Sequence, residues 1–184
     1  MAKYTVGLDP QTNKIIILDP GEAVPSDLMF TSERTREEMI NLGIYHNPDD
    51  KLGIVNYLQS TLNERVNAPG QFREFETEED MAKWILRWSQ AIAQENSELV
   101  DSCPWKWWKK MDLDYQNCVV EAIDMLHFLM SLFQTLGLTP DMVLRAYIQK
   151  NMVNHQRQDQ PGGYTKENKD EEDSRHVGTD QASG

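Results

Sequence analysis

The segment 119–133 constrains the fold of this chain more than any other part of the sequence. Eleven of its fifteen residues are apolar, and the four exceptions are Glu121, Asp124, His127 and Ser131. Their spacings of three, three and four residues place all four on one face of a helix. A helix this apolar is expected to be largely buried. Because unpaired carboxylates are costly to bury, the polar face needs a cation or a network of hydrogen-bond donors.

A second helix is expected to supply matching acids. Apolar residues recur at helical spacing over 81–99, and continuing this stripe from Trp88 by seven residues reaches Glu95. Glu98 borders the same face. Four carboxylates from two packed helices would form an all-oxygen site, which suits a hard divalent cation such as Mg²⁺. One such pair alone is commonly a solvated helix face, but two pairs at buried positions favour a metal site. The absence of Glu-x-x-His pairs argues against di-iron chemistry.

Two further clusters combine cations with aromatic or amide groups. Pro104 opens a loop, and the run Trp-Lys-Trp-Trp-Lys-Lys follows it at 105–110. Tryptophan can stack on a flat base and lysine can bind phosphate, although three tryptophans may equally form a core. Lys150, Asn154 and Arg157 share one face of a later helix, which is followed by Gly-Gly-Tyr. That face is either a solvated helix end or a triphosphate clamp.

The remaining pattern predicts a mainly α chain with a small β-hairpin arm. The hairpin is expected from Tyr4–Leu8 and Lys14–Leu18, and a capping box at Thr35 predicts a short helix. Longer helices are expected from about Leu52 to Ala68, Thr77 to Ser102, Asn117 to Leu136 and Pro140 to His155. On the first of these, Ile54, Tyr57, Leu58 and Leu62 form the apolar stripe. We divide the chain into an arm (1–50), a helical domain (51–164) and a disordered acidic tail (165–184).

Composition limits the partners and the compartment. The net charge of −12 over 184 residues argues against binding a nucleic-acid duplex through its phosphates. No continuous apolar run of about 18 residues is present, so no membrane span is expected. The N-terminus lacks the pattern of a signal peptide, and two cysteines make no disulfide framework. We therefore expect a cytoplasmic protein, in the host cytoplasm if it is phage-encoded.

Five motifs in order resemble the dimeric, all-α dUTPase family within the MazG-like NTP pyrophosphohydrolase superfamily. The resemblance runs from about Leu52 to Tyr164. Its motifs are Leu58-Gln59-x-x-Leu62-Asn63, Glu95-x-x-Glu98, Asp101-Ser102-x-x-Trp105-Lys106-x-Trp108-Lys109, Glu121-x-x-Asp124-x-x-His127-Phe128 and Lys150-Asn151-x-x-Asn154-x-x-Arg157-Gln158. The loop before Tyr164 is two residues longer than is usual in that family. The implied fold is an all-α NTP pyrophosphohydrolase-like helical bundle.

The resemblance also implies an activity and a site. Such enzymes convert dUTP, and often dUDP, to dUMP with two or more Mg²⁺, and they are homodimers. The implied metal ligands are Glu95, Glu98, Glu121 and Asp124, with Glu95 or Glu98 as the catalytic base. The implied base and sugar contacts are Gln59, Asn63, Trp108, Phe128 and Asn154, and the implied phosphate contacts are Lys109, Lys150, Arg157 and Tyr164.

Three alternatives remain open on the sequence. Phage relatives in the resembled family also accept dCTP, so the enzyme could be a dCTPase–dUTPase, which a substrate panel would reveal. A non-catalytic helical module that binds a nucleotide or a partner would tolerate Glu→Gln changes at the acid pairs. A metal-free helical interaction protein would show no stabilisation by Mg²⁺.

Overall fold

The computed structural model describes residues 2–70 and 75–159. Its elements are β1 (Tyr4–Asp9), β2 (Lys14–Leu18), β3 (Met29–Arg34), α1 (Arg36–Asn41), α2 (Lys51–Arg65), α3 (Glu78–Asp101), α4 (Tyr115–Thr135) and α5 (Pro140–Asp159). This confirms the predicted mainly α class with a small N-terminal β region. The chain divides into two compact units, Met1–Thr139 and Pro140–Gly184. Tyr164 and the tail predicted at 165–184 lie outside the described residues.

The three strands form an antiparallel sheet in the order β2-β1-β3. The predicted hairpin is confirmed, and its turn is held by the Asp9 carboxylate, which accepts hydrogen bonds from Gln11 N at 2.8 Å and Thr12 Oγ1 at 2.6 Å. Strand β3 was not expected. Most of its side chains are exposed, and its pairing with β1 contains an irregularity between Val6 and Leu8. A strand of this kind lacks a clear alternation of apolar and polar residues.

The largest cluster of buried apolar residues joins the sheet to α1 and α2. It consists of Val6, Leu8, Ile15, Met39, Leu42, Ile44, Ile54 and Tyr57. The Tyr57 hydroxyl lies 2.9 Å from Val6 O and 2.7 Å from Phe30 O, and it can donate to either carbonyl. Burial raises the pKa of Tyr57 above its ordinary value. Through this side chain, α2 is anchored to β1 and to the first residues of β3.

The helix ends are capped by the residues that the sequence suggests. Thr35 and Glu38 form a capping box at the start of α1, and the Thr77 hydroxyl accepts a hydrogen bond from Asp80 N at the start of α3. Helix α4 begins at Tyr115 after an Asp114 N-cap, two residues earlier than expected. Just beyond its end, Gly137 has a φ of +69°, a conformation that favours glycine.

The expectation that α4 is largely buried is wrong for the single chain. Its buried residues are Glu121, Met130, Ser131, Gln134 and Thr135, four of which are polar. Its exposed large aliphatic residues, with 36–50% of their surface accessible, are Val119, Val120, Ile123, Leu126 and Leu129, and the C-cap Leu136 is exposed as well. The reason is that α4 packs against α3 and α2, and the face that meets α2 carries polar side chains.

Within the described part of the chain, α4 is also long and apolar enough to cross a membrane, judged by length and composition alone. Core helices of soluble proteins pass the same test, so this property is weak evidence. The expected absence of a membrane span stays a prediction.

Candidate active site

Helices α3 and α4 bring acids from both predicted pairs together. One carboxylate oxygen from each of Glu95, Glu98 and Glu121 lies within 4.8 Å of the other two. Asp124 lies three residues after Glu121 on α4, and its charge acts on Glu95. We call Glu95, Glu98, Glu121 and Asp124 the acid cluster. The assignment of these four residues as ligands stays a prediction, and the structure brings Glu95, Glu98 and Glu121 close enough together for that role.

The acids differ in burial. Only 6% of the surface of Glu121 is exposed, Glu95 and Asp124 are half-buried, and Glu98 is exposed. The expectation that both pairs occupy buried positions is therefore wrong for Glu98. Helix α3 has no fully buried residue, because it packs closely against α4 on one side only. The acid cluster thus has a buried end at Glu121 and a solvent-facing end at Glu98.

Electrostatic repulsion within the acid cluster is compatible with a bound cation. Desolvation raises the pKa of Glu95, and the hydrogen bond to Glu121 and the charges of Glu98, Glu121 and Asp124 raise it further. The charged form of Glu95 is therefore disfavoured, and a divalent cation would relieve the same repulsion. An all-oxygen set of carboxylates fits Mg²⁺. At the exposed end, Gln94 Nε2 donates a hydrogen bond of 2.9 Å to Glu98 Oε1.

A buried network of amides and hydroxyls links α2 to α4. Gln59 Nε2 donates to Asn63 Oδ1 at 3.0 Å and to Ser131 Oγ at 2.9 Å. His127 Nδ1 lies 2.7 Å from Gln59 Oε1, and since a carbonyl oxygen accepts, the imidazole nitrogen is the donor. Gln59 and Asn63 were expected to contact the base or sugar. Here their amides are engaged inside the protein, so contact with a base requires exchange of at least one of these bonds.

The second half of this network was not anticipated from the sequence. Asn63 Nδ2 donates to Gln134 Oε1 at 3.0 Å, and Gln134 Nε2 donates to Asn56 O at 2.8 Å. The available signal was a polar stripe on α2 at i, i+3, i+4 and i+7, formed by Asn56, Gln59, Ser60 and Asn63. The apolar stripe was expected to form the buried face of this helix, yet its member Leu62 is 43% exposed.

Aromatic side chains pack beside the network. Phe128, an expected base contact, is half-buried and stacks on Trp88 with ring centroids 6.1 Å apart. Trp88 Nε1 in turn donates a hydrogen bond of 2.9 Å to Thr135 Oγ1. Phe128 is therefore held by α3, and one ring face is already in contact with Trp88. Trp84 also lies close to Trp88, with ring centroids 5.3 Å apart.

The loop between α3 and α4, residues 102–114, displays its tryptophans instead of burying them. Trp107 is 89% exposed, and Trp105 and Trp108 are also exposed, so the interpretation of this run as core is wrong. Lys106 Nζ donates to Asp101 Oδ1 at 3.0 Å. The hydrogen bond from Lys106, followed by that from Trp105, lowers the pKa of Asp101. Lys109, an expected phosphate contact, is exposed in the same loop.

The remaining expected contacts fall in the second unit or outside the described residues. Lys150, Asn154 and Arg157 lie in α5, and Tyr164 is not among the residues that the structure describes. Their roles stay predictions.

A cavity of about 620 Å³ lies apart from the acid cluster. It is lined by residues of β3 and α2 together with His127, and none of the four acids faces it. Apolar atoms make up most of its lining surface, although Glu64, Arg65 and His127 are among the lining residues. His127 is the one residue that this cavity shares with the amide network.

Comparison with known proteins agrees with the geometry of the acid cluster. The family model described as dUTPase matches residues 51–136, which include all four acids and the amide network. A dCTP pyrophosphatase of Enterobacteria phage LZ5 is 28% identical over 145 residues, covering 63% of this chain and 84% of the relative. No solved structure matches the chain. Residues 51–136 therefore resemble a dUTPase-like family related to a phage dCTP pyrophosphatase, and these matches support a nucleoside triphosphate pyrophosphohydrolase.

Proposed function

We propose that this enzyme hydrolyses dUTP to dUMP and pyrophosphate in a Mg²⁺-dependent reaction, and dUDP to dUMP and phosphate. The observation that carries the proposal is the convergence of Glu95, Glu98 and Glu121, whose carboxylate oxygens lie within 4.8 Å of one another. Such a cluster of acids is not suited to binding an apolar ligand. It suits a substrate that brings phosphate oxygens and divalent cations together.

The acid cluster suggests a division of roles. Two or more Mg²⁺ held by its four carboxylates would supply charge neutralisation at the phosphate oxygens. Glu98 is exposed and is held by Gln94, so it can meet an attacking water. Glu95 has a raised pKa and interacts with both Glu98 and the buried Glu121. We assign proton acceptance from that water to Glu95 or Glu98.

The surrounding residues of the first unit supply groups for the rest of the nucleotide. Trp108 and Phe128 carry ring faces for the base, and Lys109 carries a charge for phosphate. Gln59 and Asn63 carry amides that both donate and accept. These assignments follow from residue type and from the family resemblance.

A second candidate substrate is dCTP, because the phage relative is named a dCTP pyrophosphatase. Uracil and cytosine differ at position 4 of the ring, where one offers a carbonyl acceptor and the other an amino donor. A primary amide can pair with either group. The amides of Gln59 and Asn63 are therefore compatible with both bases, and dCTP is tested beside dUTP.

We further propose a homodimer in the cytoplasm, or in the host cytoplasm if the chain is phage-encoded. The apolar residues exposed along α4 support the dimer, since a contiguous apolar surface favours a partner. The net charge of −12 supports a protein without a nucleic-acid duplex as partner. A membrane partner is likewise not part of the proposal.

The experiment is a substrate panel with product analysis. The purified full-length chain is incubated with Mg²⁺ and with dUTP, dUDP, dCTP or another dNTP, and monophosphate, diphosphate, phosphate and pyrophosphate are resolved by chromatography. We expect dUMP and pyrophosphate from dUTP, and loss of the activity in excess chelator. Glu95→Gln and Glu98→Gln are compared with Glu79→Gln, which changes an exposed acid of the same helix. Activity that is equal in chelator, or equal in all three variants, contradicts the proposal.

A further inference from the structure

Cys103 and Cys118 lie side by side although fifteen positions separate them. Cys103 follows the end of α3 and Cys118 lies in the first turn of α4, and their Sγ atoms are 3.9 Å apart. Both thiols are free and half-buried. Neither has a role in the proposed hydrolysis, and neither belongs to a motif that carries the family resemblance.

Two hydrogen bonds hold the end of α3 close to the start of α4 beside the two thiols. Asp114 N donates a hydrogen bond of 3.0 Å to Ser102 O, which closes the base of the loop. Asn117 Nδ2 donates to Ser102 Oγ at 2.7 Å, next to the thiol pair. A disulfide requires a sulfur–sulfur distance of about 2.05 Å. The remaining gap of about 1.9 Å is within reach of side-chain rotation, because the sulfurs already touch.

We propose that Cys103 and Cys118 are a redox modification site, at which a low-molecular-weight disulfide such as oxidised glutathione forms a reversible intramolecular disulfide. One protein thiolate attacks the oxidant, giving a mixed disulfide and releasing one glutathione thiolate. The second protein thiolate attacks the protein sulfur of that mixed disulfide and releases the second glutathione. The protein loses two electrons and two protons, and the oxidant becomes two thiols.

The crosslink would act on the part of the molecule that carries the acid cluster. It would join α3 and α4 five residues after Glu98 and three residues before Glu121, enclosing the loop that displays the tryptophans. A closed loop of this length restricts the unfolded chain. We therefore expect the disulfide to raise Tm, by about 5 °C.

The test uses the full chain in chelator, equilibrated with reduced or with oxidised glutathione. We expect the oxidised wild-type protein to lose about 2 Da, to resist alkylation at both cysteines, and to regain its reduced mass with dithiothreitol. Peptide mapping should recover one crosslinked pair. Cys118→Ser should instead gain the mass of one glutathione at Cys103, and Cys103→Ser/Cys118→Ser should be unaffected.

Three results would overturn the proposal. The wild-type protein could keep two alkylatable thiols, carry glutathione adducts without an internal crosslink, or form disulfide-linked dimers in place of the internal pair. The measurement of Tm is independent of the mass and alkylation measurements. A crosslinked protein whose Tm equals that of the reduced protein contradicts the proposed effect on α3 and α4. Nucleotide hydrolysis is not a readout of this experiment, so failure of the proposed substrate would leave its outcome unchanged.

Discussion

Glu121 is the most buried of the four acids in the acid cluster, and we expect its substitution to affect the site strongly. Glu121→Gln keeps the side-chain shape and removes one charge. We expect hydrolysis to fall about a hundredfold or more, because the site loses a ligand oxygen with full charge. Without metal we expect a higher Tm, because one like-charge repulsion is gone. Initial rates and thermal melts in chelator measure the two effects.

The matched control for this change is Glu79→Gln, which alters an exposed acid of α3 that pairs with Lys83 at 2.9 Å. We expect its activity and its Tm to stay near those of the wild-type protein. If the activity of Glu121→Gln stays within about twofold of wild type, Glu121 is not a ligand.

Ser131 ties together the two amides that were assigned to the base and sugar. Its hydroxyl lies 2.9 Å from Gln59 Nε2, and 3.2 Å from Asn63 Oδ1. Ser131→Ala leaves both buried amide atoms one bond short, so we expect the free energy of unfolding to fall by about 1–3 kcal/mol. We also expect a higher KM for the nucleotide with a smaller change in kcat, because the amides lose their fixed orientation.

Ser89→Ala is the control for Ser131→Ala. Both serines lie on long helices and donate to the carbonyl four residues earlier, but Ser89 is exposed and belongs to no network. We expect its free energy of unfolding to change by less than about 0.5 kcal/mol and its KM to stay constant. Urea titrations and steady-state kinetics compare the variants. Equal behaviour of the two would show that the network does not position the substrate amides.

At the scale of elements, Tyr57 couples α2 to the sheet, and its titration gives a pH test. Burial raises the pKa of Tyr57, so the folded protein holds the proton at a pH where the unfolded chain releases it. The stabilisation is complete below the unfolded pKa of about 10 and is lost as the pH rises through the raised folded value. The free energy of unfolding of the wild-type protein should therefore fall steeply above about pH 10.

Tyr57→Phe removes this titration and the hydrogen bonds to the sheet. We expect it to be less stable at neutral pH by about 1–3 kcal/mol and to show a shallower loss of stability above about pH 10. Tyr115→Phe, at an exposed position at the start of α4, should keep the wild-type slope. Denaturant titrations from pH 7 to about pH 11 measure the slopes. A steep alkaline loss that persists in Tyr57→Phe contradicts this assignment.

The elements that the sequence predicted well are those with local signals. The capping box at Thr35, the N-cap at Thr77 and the glycine after α4 fix helix ends through bonds within a few residues. Strand β3 was not predicted because it pairs with β1, more than twenty residues away, and because its apolar and polar residues do not alternate. Partner strands of this kind are specified by tertiary contacts, which a local pattern does not contain.

The candidate site likewise has features that local sequence patterns predict and features that depend on tertiary contacts. Acid spacing on two helices was enough to bring Glu95, Glu98 and Glu121 together, since helical periodicity sets which residues share a face. The predicted burial of these residues is correct for Glu121 and wrong for Glu98, because burial depends on which neighbour covers each helix. The polar stripe of α2 was the sequence signal for the buried face of that helix. Gln134 of α4 pairs with Asn56 of this stripe. A buried polar stripe on one helix requires a matching stripe on another.

At the scale of the whole molecule, the exposed apolar surface of α4 calls for an explanation. Helix α4 packs against α3 and α2, and Ile123, Leu126 and Leu129 are among its apolar residues that are exposed to solvent. Covering such a surface with a second copy would remove apolar area from water on both chains. The same helix would then hold the acids on one side and the subunit contact on the other, so that assembly and the acid cluster would share one element.

The last prediction tests this assembly. We expect the wild-type protein at micromolar concentration to scatter light with about twice the 21.3 kDa of one chain. Ile123→Glu places a charge in the middle of the exposed apolar row, which should shift the protein toward the single-chain mass because an unpaired buried charge is costly. Val24→Glu, at an exposed position between β2 and β3, should leave the mass unchanged. A single-chain mass for the wild-type protein, or an unchanged dimer in Ile123→Glu, contradicts an interface on α4.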